Sequence, residues 1–329
     1  MLRVAVLGLG RIGASNVGLA PDAQVNHVGA ILDTPGLKLA IALDPDGRAC
    51  ATAHDIWGAR LPKPVRALEE NAQPVDIVTI CGPTGARRAQ FSDALRLRPR
   101  VIVCEKPLAE DESTAIDLLR MAQERGIPVV VNFNRRFDPS TQAFGQMMTT
   151  APVSIHARYG KGVLNQGSHL VDLLTWWFGP FLYVGALSDR GSAPDPVISF
   201  HGRLESGPQV LVEGIRGATY EVFDMEFSFP DRMLQYGEGG SVRRILEPQP
   251  SRVYRGLSFL GVKRTDTGPV SGFAELYAAI RDHLLRGAPL TGCSGQQALQ
   301  GQRVLDAVVL SANNQGQLVN FLKFEEPDS

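Results

Sequence analysis

The glycine-rich segment near the start of the chain places the strongest constraint on the fold. Residues 8–13 read GLGRIG and come at the end of a strand-like run, RVAVLG, that starts at residue 3. A GxGxxG motif between a strand and a helix lets the backbone approach a dinucleotide pyrophosphate at the helix N-terminus. The motif therefore predicts a dinucleotide-binding turn, with contacts from Gly8, Gly10, Arg11, Ile12 and Gly13.

Four further apolar runs follow before residue 134: LKLAIALD, DIVTICG, RVIVCEK and IPVVVNF. Helix-like stretches separate these runs. Short β-branched runs of this kind are typical of strands buried in a parallel sheet. One intervening segment, Glu112–Gln123, has apolar residues at helical spacing, and Gly126 and Pro128 follow it as a helix stop. We predict an α/β fold that begins with a Rossmann doubly wound parallel sheet, the NAD(P)-binding domain, over residues 1–133.

The pattern changes after about Pro139. One helical segment, Ser168–Phe178, is followed by strand-like runs and turns without intervening helices as far as Val270. This predicts a C-terminal α+β domain over residues 134–329, for substrate binding and oligomerisation, with a large, mostly antiparallel open sheet. Two closing helices can also pack back on the first domain. An open sheet with few helices leaves a face uncovered, which predicts a homodimer or homotetramer through that sheet.

Asp44, which ends the run LKLAIALD, is a candidate for recognition of the adenosine ribose. A carboxylate there accepts hydrogen bonds from the ribose hydroxyls and repels a 2′-phosphate, so NAD is favoured over NADP. The nearby Arg48 weakens that preference. Asp44 lies 31 residues after Gly13, where about 20 is usual. The excess is assigned to residues 18–27, either a loop over the cofactor or a surface insertion.

Two further segments end predicted strands at the edge where parallel sheets bind ligands. The first reads CGPT, and Gly82, Pro83 and Thr84 are expected beside the pyrophosphate and the nicotinamide ribose. The second is Glu105-Lys106-Pro107, in which Pro107 blocks further strand pairing and Lys106 is placed for chemistry. We include Glu105 and Lys106 among the cofactor contacts. Arg136, after the fifth run, can reach cofactor or substrate, or form a salt bridge between domains.

Composition excludes several other classes of protein. The 33 basic and 34 acidic residues give a net charge of −1, so no global field draws the chain to nucleic acid or an anionic membrane. The four cysteines lie far apart without a CxxC pair, which predicts neither a zinc site nor a disulfide framework. No metal site is predicted. The start lacks a signal-peptide pattern and no apolar run reaches about 20 residues, so we expect a cytoplasmic protein.

Six motifs, taken together, resemble one known family. The segments GLGRIG, ALDPD, ICGPT, CEKPLA, NFNRRFDP and GVLNQGSHLVDLL are similar to those of the glucose-fructose oxidoreductase, inositol dehydrogenase and MocA family (Gfo/Idh/MocA). The resemblance covers nearly the whole chain. It implies oxidation of a sugar, polyol or nucleotide-sugar hydroxyl with NAD(P), or the reverse reduction, on a Rossmann domain joined to an open-sheet domain.

The resemblance also assigns site residues. The family's strand-end lysine falls on Lys106, its site histidine on His169, and an acid three residues later on Asp172. This chain departs from the family at two positions. Asn165 stands where an acid is frequent, and Arg87 stands where a histidine is common.

These residues suggest a division of chemical roles. A histidine has an unperturbed pKa near 6.5, which suits His169 to take the hydroxyl proton, while Lys106 donates a hydrogen bond to the same oxygen. The two roles can also be exchanged. We expect Asn165 to orient a substrate hydroxyl, and Asp172 to contact substrate or to make a structural hydrogen bond.

Two other functions stay open from the sequence. One is redox-assisted elimination or epimerisation with tightly bound NAD, in which the segment 18–27 would retain the cofactor. The other is a non-catalytic sensor of NAD or of a ligand, because a fold does not fix a function. The presence of both Lys106 and His169 argues against the sensor, which does not need the pair.

Overall fold

The computed structural model describes residues 1–16, 25–69 and 72–321, and the chain divides into two compact units. The first unit combines Met1–Pro139 with Ser271–Gln302, and the second combines Ser140–Val270 with the chain from Arg303 onward. The sequence predicts a single domain boundary, which lies six residues before the first boundary in the structure. The structure has two further crossings, one of them within the last long helix.

The strands are short and are labelled in chain order. They are β1 (Leu2–Leu7), β2 (Leu37–Leu43), β3 (Ile77–Ile80), β4 (Val101–Glu105), β5 (Val129–Asn132), β6 (Ser154–Tyr159), β7 (Phe181–Ala186), β8 (Phe200–Leu204), β9 (Gln209–Gly214), β10 (Phe223–Ser228), β11 (Met233–Gly237), β12 (Val242–Pro250), β13 (Ser258–Thr267), β14 (Cys293–Ser294) and β15 (Val319–Asn320).

The α-helices are α1 (His27–Asp33), α2 (Gly47–Trp57), α3 (Arg87–Arg96), α4 (Glu112–Gln123), α5 (Pro139–Gln146), α6 (Ser168–Phe178), α7 (Phe273–Arg286) and α8 (Gly295–Asn313). The predicted helices over 112–123 and 168–178 are confirmed at both ends. In α4, the Asp111 side chain accepts a hydrogen bond from the Thr114 N–H, which satisfies a donor at the start of the helix.

The first unit is built on a six-stranded sheet in the order β14-β5-β4-β3-β1-β2. Strands β1 to β5 pair in parallel, whereas β14 runs antiparallel beside β5. Every residue of β3, β4 and β5 is buried, because helices cover both faces. The predicted doubly wound parallel sheet is confirmed.

Residues 271–302 join this unit because α7 and β14 complete its core. Phe273, Tyr277 and Ile280 of α7 are buried in the same apolar cluster as residues of β1 and β4. The turn before α7 is held by Asn134, whose Nδ2 donates to the Ser271 carbonyl at 2.7 Å. A periodicity pattern identifies such a helix but not the sheet on which it packs.

The second unit is built on a nine-stranded sheet in the order β13-β12-β11-β10-β6-β9-β8-β7-β15. All its pairs are antiparallel except β6 with β9, so the mostly antiparallel sheet is confirmed. Along β6, Ile155, Ala157 and Tyr159 are buried in the core, while the alternate residues His156 and Arg158 are more exposed. The sequence missed α5, β11, β13 and the two-residue strands.

Candidate functional site

Two glycines of the GLGRIG segment are required by close backbone packing. Gly8 has φ +104°, and a Cβ there would lie 2.6 Å from the Gly82 N. A Cβ on Gly13 would lie 2.0 Å from the Gly8 carbonyl oxygen. The turn after β1 is therefore pressed against itself and against the loop after β3, with no room for a larger residue at either position.

Gly10 has a different role. A Cβ there would meet no atom within 4 Å among the described residues, and the residue is exposed. Its carbonyl accepts hydrogen bonds from the N–H groups of Ala14 and Ser15, at 2.9 and 3.1 Å, which close one wide helical turn over Arg11–Ser15. The open approach at Gly10 fits a pyrophosphate. The sequence predicts a helix directly after the motif. In the structure, this segment forms a single wide helical turn that ends before residue 16.

The Asp44 carboxylate braces this turn. Its Oδ2 accepts the Leu9 N–H at 2.7 Å, and its Oδ1 accepts the Asp46 N–H at 2.9 Å. Asp44 is half-buried, and a carboxylate oxygen that accepts one hydrogen bond can accept another, as contact with a ribose requires. Arg66, which the sequence did not single out, donates from Nε to the Pro45 carbonyl at 3.0 Å. Of the segment predicted to cover the cofactor, residues 18–24 lie outside the described residues.

The ends of β3 and β4 lie side by side, because Ile80 is paired with Cys104. Gly82 follows β3, and a Cβ there would collide with the Gln90 side chain. Thr84 begins a short helical turn before α3, and Pro83 is exposed. Lys106, directly after β4, is half-buried, and the Lys106–Pro107 peptide is cis.

A buried polar network lies next to Lys106 and was not predicted. Glu105 Oε1 accepts hydrogen bonds from His27 Nε2 at 2.8 Å and from Asn132 Nδ2 at 2.6 Å. His27 Nδ1 pairs with the Tyr277 hydroxyl at 2.7 Å, and that hydroxyl pairs with Thr79 Oγ1 at 2.8 Å. The network occupies one oxygen of the Glu105 carboxylate, and the contact of Glu105 with cofactor stays a prediction.

The charge of this network follows from its partners. Burial alone would raise the pKa of the Glu105 carboxyl, but hydrogen bonds from His27 and Asn132 and the positive charges of His27 and Lys106 lower it. Glu105 is therefore ionised at neutral pH, so its carboxylate acts as the hydrogen-bond acceptor in the contact with His27 Nε2. Burial raises the pKa of the Tyr277 hydroxyl well above its usual value of 10.0, so Tyr277 stays neutral.

The two arginines singled out by the sequence are both buried, with 1% of Arg87 and 4% of Arg136 exposed. Arg87 donates to the carbonyl oxygens of Gly82, Glu105 and Pro107 at 3.2–3.3 Å. Arg136 donates to Gln297 Oε1 at 3.2 Å within the first unit. Its contact with cofactor or substrate, or with the other domain, remains a prediction.

In the second unit, a wide turn over Gly162–Gly167 leads into α6. The Asp195 carboxylate holds this turn by accepting the N–H groups of Leu164 at 2.8 Å and Asn165 at 3.0 Å. Asn165 is exposed, His169 is half-buried and Asp172 is buried. His169 and Asp172 lie three residues apart on one helical face.

The structure thus groups the predicted residues within each unit. In the first unit, five of these residues follow the carboxyl ends of neighbouring strands: Gly8, Gly13, Asp44, Gly82 and Lys106. In the second unit, Asn165, His169 and Asp172 lie on one segment. The approach of Lys106 to His169 stays a prediction.

The supporting residues were missed by sequence reasoning. They are His27, Thr79, Asn132, Tyr277, Asp195 and the buried Gln166. Only Asn132 carried a signal, because it ends a predicted strand at the ligand-binding edge. Tyr277 lies 250 residues from His27, and no periodicity reports a contact over that distance.

The described ranges hold neither a metal cluster nor a membrane-spanning helix. Across residues 1–16, 25–69 and 72–321, no three His, Cys, Asp or Glu side chains are arranged to hold a metal ion. Within those same ranges, every helix is too short or too polar to cross a bilayer.

Comparison with known proteins identifies relatives of the sequence. A family model described as "Oxidoreductase family, NAD-binding Rossmann fold" matches residues 2–133. An inositol 2-dehydrogenase from Corynebacterium glutamicum is 32% identical over 287 residues, which cover 80% of each chain. Another from Mycolicibacterium smegmatis is 35% identical over 141 residues, 42% of this chain, and the match spans only 37% of that relative's own length.

Solved structures share the fold over nearly the whole chain. The super-repressor mutant of Gal80p from Saccharomyces cerevisiae matches with a TM-score of 0.76 at 15% identity, over 97% of each chain. The WlbA dehydrogenase from Bordetella pertussis, in complex with NADH and UDP-GlcNAcA, matches with a TM-score of 0.74 at 17% identity, over 98% of each chain.

Proposed function

This chain belongs to the Gfo/Idh/MocA family of NAD-binding oxidoreductases, and we propose that it transfers a hydride between nicotinamide and a secondary alcohol or ketone. The substrate class is a sugar, a polyol or a nucleotide sugar. NAD is the cofactor, in keeping with Asp44 at the end of β2.

One observation carries the proposal. The glycine turn after β1, the Gly82 loop after β3 and Lys106 after β4 follow adjacent parallel strands of one sheet. Their shared edge is where open parallel sheets bind dinucleotides. A cofactor held by Gly8–Gly13 and Gly82 therefore lies on the same edge as the Lys106 amine.

Bound NAD supplies the hydride acceptor and, after reduction, the hydride donor. The residues of the chain handle the substrate oxygen and its proton. Lys106 donates a hydrogen bond to that oxygen and stabilises alkoxide character, while His169 accepts and returns the hydroxyl proton. Exchange of these two roles stays open. Asn165 orients a substrate hydroxyl, and the buried Asp172 contacts substrate or braces α6.

The relatives support the polyol class most directly, because both of the relatives described above are named inositol 2-dehydrogenases. Inositols, sugars and nucleotide sugars all contain a ring that bears secondary hydroxyls, so one panel of substrates covers all three classes. The likeness to the WlbA structure concerns the fold alone.

The test is a panel of inositols, sugars and nucleotide sugars, assayed for NADH formation and for the reverse reduction. On the best substrate, we expect Lys106→Ala and His169→Ala each to lower kcat/KM by about 10²- to 10⁴-fold. Lys38→Ala, which removes an exposed lysine of β2, is the matched control and should leave kcat/KM unchanged. Full activity in both site variants would refute the assignment of these residues.

The same panel separates the alternatives. Stoichiometric NAD that survives gel filtration, together with product formation but no net change in added NAD, would indicate elimination or epimerisation. Binding of NADH or of a sugar without any turnover would indicate a sensor.

The proposed assembly is a homodimer or homotetramer through the nine-stranded sheet. Its uncovered face carries alternating polar side chains such as His156 and Arg158, and the hairpin β12–β13 exposes Phe259, Leu260 and Val262 by 45–59%. Light scattering measures the mass directly, and a monomer at assay concentration would contradict this proposal.

A further inference from the structure

We propose that Arg87 is the positioning residue for Lys106: its buried guanidinium fixes the backbone on both sides of that lysine. The inference rests on the proposed function, in which Lys106 acts on the substrate oxygen. Arg87 itself touches neither substrate nor cofactor and acts through the loop that it holds.

The geometry of the contacts carries the inference. Arg87 Nη2 donates to the Glu105 carbonyl at 3.2 Å and to the Pro107 carbonyl at 3.3 Å. These two carbonyls belong to the residues immediately before and after Lys106. One nitrogen therefore holds both ends of the short stretch from which the lysine side chain extends.

The other end of the fork connects this stretch to the neighbouring loop. Arg87 Nη1 donates to the Gly82 carbonyl at 3.3 Å and to Gln90 Oε1 at 3.4 Å. Gly82 follows β3, whereas Glu105 ends β4. A single planar side chain thus sets the separation of two strand-end loops, one predicted to contact the cofactor and one that carries Lys106.

Only arginine can make this set of hydrogen bonds. Its guanidinium is planar and presents five N–H donors in a fixed fork, whereas a lysine offers one compact ammonium. Histidine, the residue common here in the resembling family, donates at most two hydrogen bonds from separate ring nitrogens. The arginine at position 87 of this chain can therefore make more hydrogen bonds than the histidine that is common there in the family.

The burial of Arg87 indicates that its position is specific. Only 1% of the residue is exposed, and its Nε has no hydrogen-bond partner within the described ranges. Its partners are carbonyl and amide oxygens, which compensate the desolvation of a cation less well than a carboxylate does.

The positive charge is also felt at the strand ends. Burial raises the pKa of the Cys104 thiol to about 11 and raises that of the buried Cys81 thiol well above its usual value, while the Arg87 charge acts to lower both pKa values. Both cysteines flank the loops that Arg87 joins. Removal of the guanidinium should therefore alter both the geometry and the electrostatics around Lys106.

The kinetic test uses the full-length protein with NAD and the best substrate of the panel. We expect Arg87→Ala to lower kcat by about 100-fold, the cost of a displacement of about 1 Å in a reacting group. The Kd for NADH, measured by fluorescence, should change much less than kcat. Arg87→Lys keeps the charge but loses the fork, so it should not restore kcat, whereas millimolar guanidinium should partly rescue Arg87→Ala.

Arg88→Ala is the matched control, because Arg88 is the next residue of α3 and is exposed in an ion pair with Asp117. It should match wild type. A folded Arg87→Ala or Arg87→Lys variant with wild-type kcat would overturn the inference, as would equal losses in kcat and in NADH affinity.

A second measurement needs no turnover and separates this inference from the proposed function. The rate of reductive methylation of Lys106, followed by peptide mass spectrometry, should change in Arg87→Lys, while the rate at the exposed Lys38 should not. If wild type turns over no substrate, the proposed function fails, but an altered Lys106 rate still supports the positioning role. An unchanged Lys106 rate would overturn it.

Discussion

Each unit of the chain contains a glutamate paired with a basic side chain at almost the same distance. In the first unit, His27 Nε2 lies 2.8 Å from Glu105 Oε1, and in the second, Lys263 Nζ lies 2.7 Å from Glu247 Oε1. Their surroundings differ. The side chains of the first pair are 0% and 9% exposed, and those of the second are 58% and 36% exposed. Distance alone therefore does not rank the two pairs.

The buried pair depends on its neighbours. A carboxylate taken out of water loses hydration that one partner rarely replaces, so further hydrogen bonds are needed. Asn132 supplies one to Glu105, and the Tyr277 hydroxyl completes His27. These hydrogen bonds hold the side chain of Glu105, the residue that precedes Lys106.

The exposed pair needs no such support. Glu247 and Lys263 lie on β12 and β13, the hairpin at one edge of the nine-stranded sheet, and water hydrates both groups. Formation of the pair exchanges one hydrated arrangement for another. A polar contact therefore constrains this fold only where its loss leaves a group unhydrated.

The sharpest test of the comparison is His27→Leu, which keeps approximate volume but removes the partner of Glu105. We expect the free energy of unfolding at pH 7, from urea titration, to fall by about 3–5 kcal/mol, because an ionised carboxylate is left buried with one donor. The double variant His27→Leu with Glu105→Gln is the control. It should be more stable than His27→Leu alone, and a double variant that is less stable would contradict the argument.

The pH dependence of Glu105 provides a second test. The folded-state pKa of Glu105 is lowered from its ordinary value of 4.5, so its ionisation stabilises the fold above about pH 4.5. That contribution is lost as the pH falls from there through the lower, folded-state pKa. We expect Glu105→Gln to be less stable than wild type by about 1.5–3 kcal/mol at pH 7, the value of a hydrogen bond to a charged group.

The difference between these two proteins should shrink as the pH falls below 4.5. Urea titrations at several pH values from 7 down to about 3 measure it, over the range in which a carboxyl titrates. A stability difference that stays constant over this range would show that folding does not lower the pKa of Glu105.

The same contrast explains how much the sequence predicts. The helix over Glu112–Gln123 and the strand before Lys106 follow from local patterns, because burial imposes a period of 3.6 residues or a continuous apolar run. The edge strand β13 was missed because most of its residues are exposed on both faces. Without a buried face, a strand has no alternation for a pattern to detect.

The candidate site divides in the same way. Gly8, Gly13 and Lys106 are visible because a motif fixes their spacing. The residues that hold them are not, since His27 meets Glu105 across 78 positions, and Arg87 at the start of α3 meets Pro107 after β4. Such contacts arise from tertiary packing, and no local pattern in a single sequence indicates which distant residues will meet. Asp195, which holds the turn before His169, is missed for the same reason.

The smallest expected effect belongs to the exposed pair, where a double-mutant cycle isolates the interaction. Lys263→Ala, Glu247→Ala and the double variant should give a coupling energy of about 0.2–1 kcal/mol at low salt, from the same urea titrations. Salt at about 1 M shortens the screening length to about 3 Å, so the coupling should approach zero there. The effect of His27→Leu should persist in the same buffer, because ions do not reach a side chain that is 0% exposed. A coupling between Lys263 and Glu247 as large as the loss in His27→Leu would remove burial as the explanation and leave the N–O distance in its place.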